Sequence, residues 1–212
     1  HTASTTFDWH SSDRSHELKV TPFYTHVDNY IDAVPAAGTS FLNDKFNVLQ
    51  YANQSARLYG VDLSGKLPLL SNDLGNWGVN GLVNYTNGKN REMGDQLYNV
   101  MPLNTTLALT QELGGWSNSL EMQSVQAKNN GSDVRNEIQT AGYTLFNLRA
   151  SHTWKQVRVD FGVENLADKF YYLPTGGAYT AQGRTMTINA IGWGTAVPGM
   201  GRSVYTGFNL SF

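Results

Sequence analysis

The sequence predicts an all-β chain: an antiparallel, up-and-down transmembrane β-barrel wall, about nine strands of a larger barrel. Three observations lead there. Apolar and polar residues alternate along most of the chain, connections alternate between short and long, and charge is scarce. Charged residues make up 15% of the 212, against about 25% in soluble domains. No stretch approaches ~18 consecutive apolar residues, so a membrane-spanning helix is excluded and no segment shows a helical stripe.

The strands follow in order. Ser4–Ser12 is the weakest and Leu18–Tyr30 the next. Tyr59–Leu69 sets Tyr59, Val61, Leu63, Leu67 and Leu69 against Asp62, Ser64 and Lys66, with Leu58 the apolar exception. Trp77–Asn87, Leu103–Leu113, Ser117–Ala127 and Tyr143–Trp154 fit the same period of two. Val157–Glu164 is the clearest, with Val157, Val159, Phe161 and Val163 interleaved with Arg158, Asp160, Gly162 and Glu164; side chains two apart share one face of a strand. At the C-terminus Val204, Phe208, Leu210 and Phe212 share one face, so Phe212 is expected to point outward. Pro22 removes a ladder donor and marks a local irregularity.

Short turns are expected at Ser12–Ser15, Ser71–Asn76, Leu113–Ser117 and Trp154–Gln156, and long loops at Ala33–Lys45, Gly88–Pro102, Lys128–Ala141 and Ala167–Gly201. Short turns at one rim and long loops at the other are how an outer-membrane barrel is built. The polar face carries Asp62, Lys66, Asn147, Arg149, Arg158, Asp160 and Glu164, which suits a wet or plugged lumen. The other face carries aliphatic residues mid-strand, with Trp77, Tyr85, Trp116, Tyr143, Trp154, Tyr171 and Tyr172 near strand ends as interfacial girdles. Arg at Val159 or Phe161 is therefore expected to cost about 2–4 kcal/mol if that face meets the bilayer midplane, and Arg at Gly162 to be much milder electrically. A soluble β-sandwich is the rival reading. Unpaired backbone cannot stay in hydrocarbon, so an open wall of nine strands implies absent neighbours.

Three stretches then carry a resemblance: Asn53–Gly65 with its Ala56-Arg57-Leu58-Tyr59-Gly60 run, Val163–Tyr172, and Gly201–Phe212. They resemble the strands of TonB-dependent outer-membrane receptors, although the family's usual Asn-Leu-Phe-Asp stands here as Asn165-Leu-Ala-Asp168. Tyr85–Arg91, Val134–Thr140 and Tyr172–Tyr179 are similar to the copper-receptor subgroup. The resemblance implies that residues 1–212 form the C-terminal part of a barrel of about 22 strands, with plug and N-terminal strands absent from the segment. It further implies residence in the bacterial outer membrane, contact with its lipids and lipopolysaccharide, coupling to TonB through the plug, and copper as cargo. A siderophore or other metal-chelate receptor, or a passive porin, is the alternative.

Chemistry of its own is not expected of this segment, and no cofactor is. There is no Cys, which removes thiolate nucleophiles and Cys-based metal sites. No His-Glu-x-x-His, Gly-x-Ser-x-Gly or phosphate-loop motif occurs. His26 beside Asp28 and Asp32 reads as neighbours at a strand mouth. A net charge of -2 gives no basic nucleic-acid footprint. Thioethers suit Cu(I), so Met93 and Met101, which bracket one long loop, are the metal candidates; Met186 and Met200 bracket another. None of these has a tight partner spacing, so the preferred reading is flexible filler, with the principal metal site expected in the absent portion.

Overall fold

The computed structural model describes residues 1–36, 49–135, 137–176 and 196–211. Ten strands form one antiparallel sheet: β1 (Thr2–Ser4), β2 (Phe7–His10), β3 (Glu17–Pro35), β4 (Leu49–Asn72), β5 (Gly75–Asn90), β6 (Asn104–Leu113), β7 (Trp116–Val125), β8 (Tyr143–Trp154), β9 (Val157–Glu164) and β10 (Ser203–Leu210). Each strand from β3 onward pairs with the next in sequence, while β1 and β2 both pair with β3. The sheet is open, with β1 and β2 at one edge and β10 at the other. The expected outward position of Phe212, and the places of Met186, Gly177 and Tyr179, lie outside the described residues.

The ten strands amount to nine staves. β1 pairs Ser4 with Phe23 and β2 pairs Phe7 with Val20, in one unbroken register. The break between them falls opposite Pro22. The Thr5 N–H donates to the Pro22 carbonyl at 3.3 Å, but proline has no N–H to return, so this pairing is half made and the edge strand is cut there.

The largest departure from expectation is the β3–β4 hairpin. β3 runs on to Pro35 and β4 begins at Leu49, where a loop from Ala33 and a strand from Tyr59 were expected. A β-bulge between Val27 and Tyr30 shifts the register. Beyond it Asp28–Pro35 and Leu49–Ser55 mix polar and apolar residues, because this arm extends past the bilayer band and neither face needs to be greasy. Periodicity therefore carries no signal there. The short turns sit where expected: Gly114 and Gly115 join β6 to β7 with φ of 54° and 87°, and Lys155 joins β8 to β9 at φ 47°.

Register settles the two faces. Leu109 stands opposite Val79 and Leu120, Leu120 opposite Leu148, Leu148 opposite Val163, and Val163 opposite Val204. This apolar row crosses six strands on one face. On the other face Ala108 stands opposite Glu121, Glu121 opposite Asn147, and Asp160 opposite Gly207. At the short-turn rim Trp116, His152 and Trp154 stack on the apolar face, with centroids 4.6 and 4.0 Å apart. In the turn between β2 and β3, Ser11 and then Ser15 bond the Asp13 carboxylate and hold it well below the usual carboxylate range.

The buried hydrophobic cluster lies elsewhere. Val125, Tyr143 and Leu145 pack together at the long-loop rim, on the polar face, with Met101 and Tyr171 over them. Two expected girdle residues are thus corrected: Tyr143 and Tyr171 face inward, with rings 4.4 Å apart. Tyr143 is an odd-numbered residue of β8, whereas the outward side chains of that strand, Phe146 and Leu148, are even. Leu58 falls into place too. It shares the inner face and pairs with Gly88, over which Leu97 is packed so closely that a Cβ there would meet Leu97 at 2.9 Å.

Candidate functional site

The inner face divides into a polar wall and a latched mouth. On the wall, Arg149 of β8 reaches Glu121 of β7 at 2.8 Å and Glu164 of β9 at 3.0 Å, and Asn147 donates to the second oxygen of Glu121 at 2.9 Å. Three strands are tied by one guanidinium whose planar fork meets two carboxylates. Nearby, Arg158 pairs with Asp160 at 2.8 Å, and Asn209 donates to the other Asp160 oxygen. Tyr205 lies over Gly162, where a Cβ would meet its ring at 2.2 Å. The electrical mildness expected of Arg at Gly162 is separate from its size: the lumen is polar there, but the place above Gly162 is filled.

At the mouth, three segments converge: the β3 extension, the 91–103 loop and the 126–142 loop. Asp32, 6% exposed, accepts hydrogen bonds from Asn90 at 3.0 Å and from Arg135 at 3.1 Å. Arg135 also lies 4.9 Å over the Tyr98 ring, a cation–π contact. Asp95 accepts from the Ser132 hydroxyl and from the backbone N–H groups of Asp133 and Val134. Glu137 accepts from Lys128 Nζ, from Asn99 N–H and from Ser132 N–H, and the Lys128 and Glu137 side chains are only 2% and 6% exposed. Each buried charge is paired and hydrogen-bonded, the condition under which such groups persist in low dielectric. The loops are thereby fixed as one inner rim.

A sequence-family profile described as "TonB dependent receptor-like, beta-barrel" matches residues 1–166. The chain belongs to the TonB-dependent receptor family. No curated protein matches it. Among solved structures, all of the chain aligns with 32% of "Copper transporter OprC", at 22% identity and a TM-score of 0.79. It aligns likewise with 29% of the ferric yersiniabactin uptake receptor FyuA from Yersinia pestis, at 17% identity and TM-score 0.67. For the ferripyoverdine receptor of the outer membrane of Pseudomonas aeruginosa the figures are 27%, 14% and 0.65. The chain therefore spans about a third or less of the length of the solved structures it matches, and its place is the bacterial outer membrane.

Within this TonB-dependent wall, the metal candidates of the sequence are separated by role. Met101 packs on the Val125–Tyr143–Leu145 cluster. Met93 lies in the turn after β5, its N–H donating to the Asn90 side-chain oxygen at 3.1 Å. Among the described residues no group of three or more His, Asp or Glu is placed to hold a metal ion. His26 bonds Asp28 at 2.8 Å, while Asp32, past the bulge and on the opposite face, belongs to the Arg135 latch. The sequence motifs do not point to the latch. Its one trace in the sequence is charge density: Lys128, Asp133, Arg135 and Glu137 crowd into ten residues of a chain otherwise poor in charge.

Proposed function

We propose that this chain forms barrel wall and extracellular mouth of a TonB-dependent receptor that imports copper in an energy-coupled way, through a plug and TonB. The observation that carries the reading is the pair of faces: one apolar across consecutive strands and edged with aromatic residues, the other hydrogen-bonded and charged. Hydrocarbon on one side and an enclosed aqueous or plugged lumen on the other account for both. The open edges at β1/β2 and β10 need further strands to close the ring. The outward face would then contact outer-membrane phospholipid and lipopolysaccharide, while the wall performs no covalent chemistry.

Copper as cargo is supported by the subgroup motifs and by the tighter fold match to the copper transporter than to the two siderophore receptors named above. The test is copper accumulation in cells whose gene for the receptor carrying this wall is intact, deleted or restored, with and without a protonophore. Protonophore-sensitive copper uptake that follows the gene supports the proposal. Uptake insensitive to the protonophore points to a passive porin, and growth dependence on a ferric chelate instead of copper points to a siderophore receptor.

A further inference from the structure

The apolar face carries a feature that neither copper import nor the closing of the barrel requires. At the long-loop end of β3–β5 it ends in a cross-strand row of potential cations. His26 of β3 stands opposite Arg57 of β4, and Arg57 opposite Lys89 of β5. All three share the outward face with Leu63, Val61 and Tyr59, because Arg57 continues the same odd-numbered side of β4. Directly below lies the aromatic girdle: Tyr24 stands opposite Tyr59, and Tyr85 opposite Val61. Arg57 is two residues beyond Tyr59, about 7 Å along the strand, at the depth where lipid head groups begin.

Two of these groups, Arg57 and Lys89, are also uncommitted, whereas His26 is bonded to Asp28. Arg135, Arg149, Arg158 and Lys128 are all committed to carboxylates. Arg57 and Lys89 form no side-chain hydrogen bond or ion pair with any described residue. The nearby carboxylates are occupied, Asp28 by His26 and Glu92 by the Ser55 N–H. Neighbouring strands lie about 4.8 Å apart, so the Arg57 fork and the Lys89 ammonium can converge on one phosphate.

We propose that this outward row binds a phosphate of an outer-leaflet lipid head group, held between Arg57 and Lys89 with His26 at its flank. The proposal rests on the reading that this face meets lipid. It gives a role to the arginine of the Ala56–Gly60 run, which packing does not explain.

The test titrates the detergent-purified receptor carrying this wall with diphosphoryl lipid A, with inorganic phosphate as the free-anion arm. Arg57→Gln combined with Lys89→Gln is expected to weaken lipid A binding on the order of tenfold or more, the scale of losing charge-assisted hydrogen bonds. Lys19→Gln combined with Lys66→Gln removes two cations from the inner face of β3 and β4, and should leave the affinity unchanged. Folding of each variant is checked by heat-modifiable gel migration, and the single Lys89→Gln variant reads the same loss at smaller size should the outer pair not fold. Equal lipid A affinity in wild type and the outer pair overturns the proposal alone. Loss in the inner pair overturns the face assignment and the functional reading with it. Inorganic phosphate displacing lipid A at equal concentration would show an anion site without lipid specificity, and also overturns the proposal.

Discussion

Arginine placed on neighbouring residues of β6 separates the two faces by energy. β6 has ten residues, which at about 3.4 Å per residue and a tilt near 40° spans roughly 26 Å of bilayer normal. Leu109 sits close to the middle, with Val79 and Leu120 opposite. Leu109→Arg should therefore cost about 2–4 kcal/mol, the midplane value for a lipid-facing cation. Ala108→Arg points the other way, beside Glu121 and Asn80, and should stay within about 0.5 kcal/mol of wild type. The difference corresponds to roughly a 30- to 900-fold change in the folding equilibrium. Reversible denaturant titration of the receptor in phospholipid vesicles, followed by tryptophan fluorescence, measures it. Equal costs at 108 and 109, or the larger cost at 108, would refute the two-face assignment.

Other substitutions probe the mouth and the lumen. Glu137→Ala strands Lys128 at 2% exposure and should cost about 3–5 kcal/mol locally, seen as faster amide exchange at Ser132 and Asn99 while the strand amides stay protected; uniform protection would contradict the latch. Gly162→Ala drives Tyr205 off its seat at about 1–3 kcal/mol, a penalty that should vanish when Tyr205→Ala is already present. Met93→Ala with Met101→Ala should leave copper binding by the receptor intact while Met101→Ala lowers stability by about 1–2 kcal/mol through its lost packing; abolished copper binding would make these thioethers ligands. Because the Asp13 carboxyl is held below its usual range, the turn's stabilisation is present above the ordinary carboxylate pKa and lost only as pH falls through the lowered value. An NMR titration of Asp13 with an ordinary midpoint would contradict that.

The wall was legible because a bilayer enforces a period of two: Val157–Val163 and Leu107–Leu113 could not satisfy lipid on one side and water on the other otherwise. Where the bilayer stops, so does the code. The β3–β4 arm past the bulge reads as a loop from Ala33, since neither of its faces must be greasy. The latch joins Asp32 to Arg135 across 103 positions, and no local pattern marks such a pair. Chemistry alone puts Tyr143 on the outer girdle, although tyrosine suits either side of a barrel rim. Its odd place against Phe146 and Leu148 held the right answer. The Arg57–Lys89 row was hidden for another reason: its members lie 32 positions apart and meet only once the β4–β5 register is known.

The central claim is tested most directly by where each side chain of β6 dissolves. The chain has no cysteine, so single cysteines at Thr106, Leu107, Ala108, Leu109 and Thr110 can carry spin labels in the receptor reconstituted in lipid. Labels at 107 and 109 should relax with dissolved oxygen and ignore a water-soluble nickel chelate, with the oxygen effect absent at 106, 108 and 110. Oxygen accessibility that fails to alternate, or alternates with the opposite parity, would contradict it.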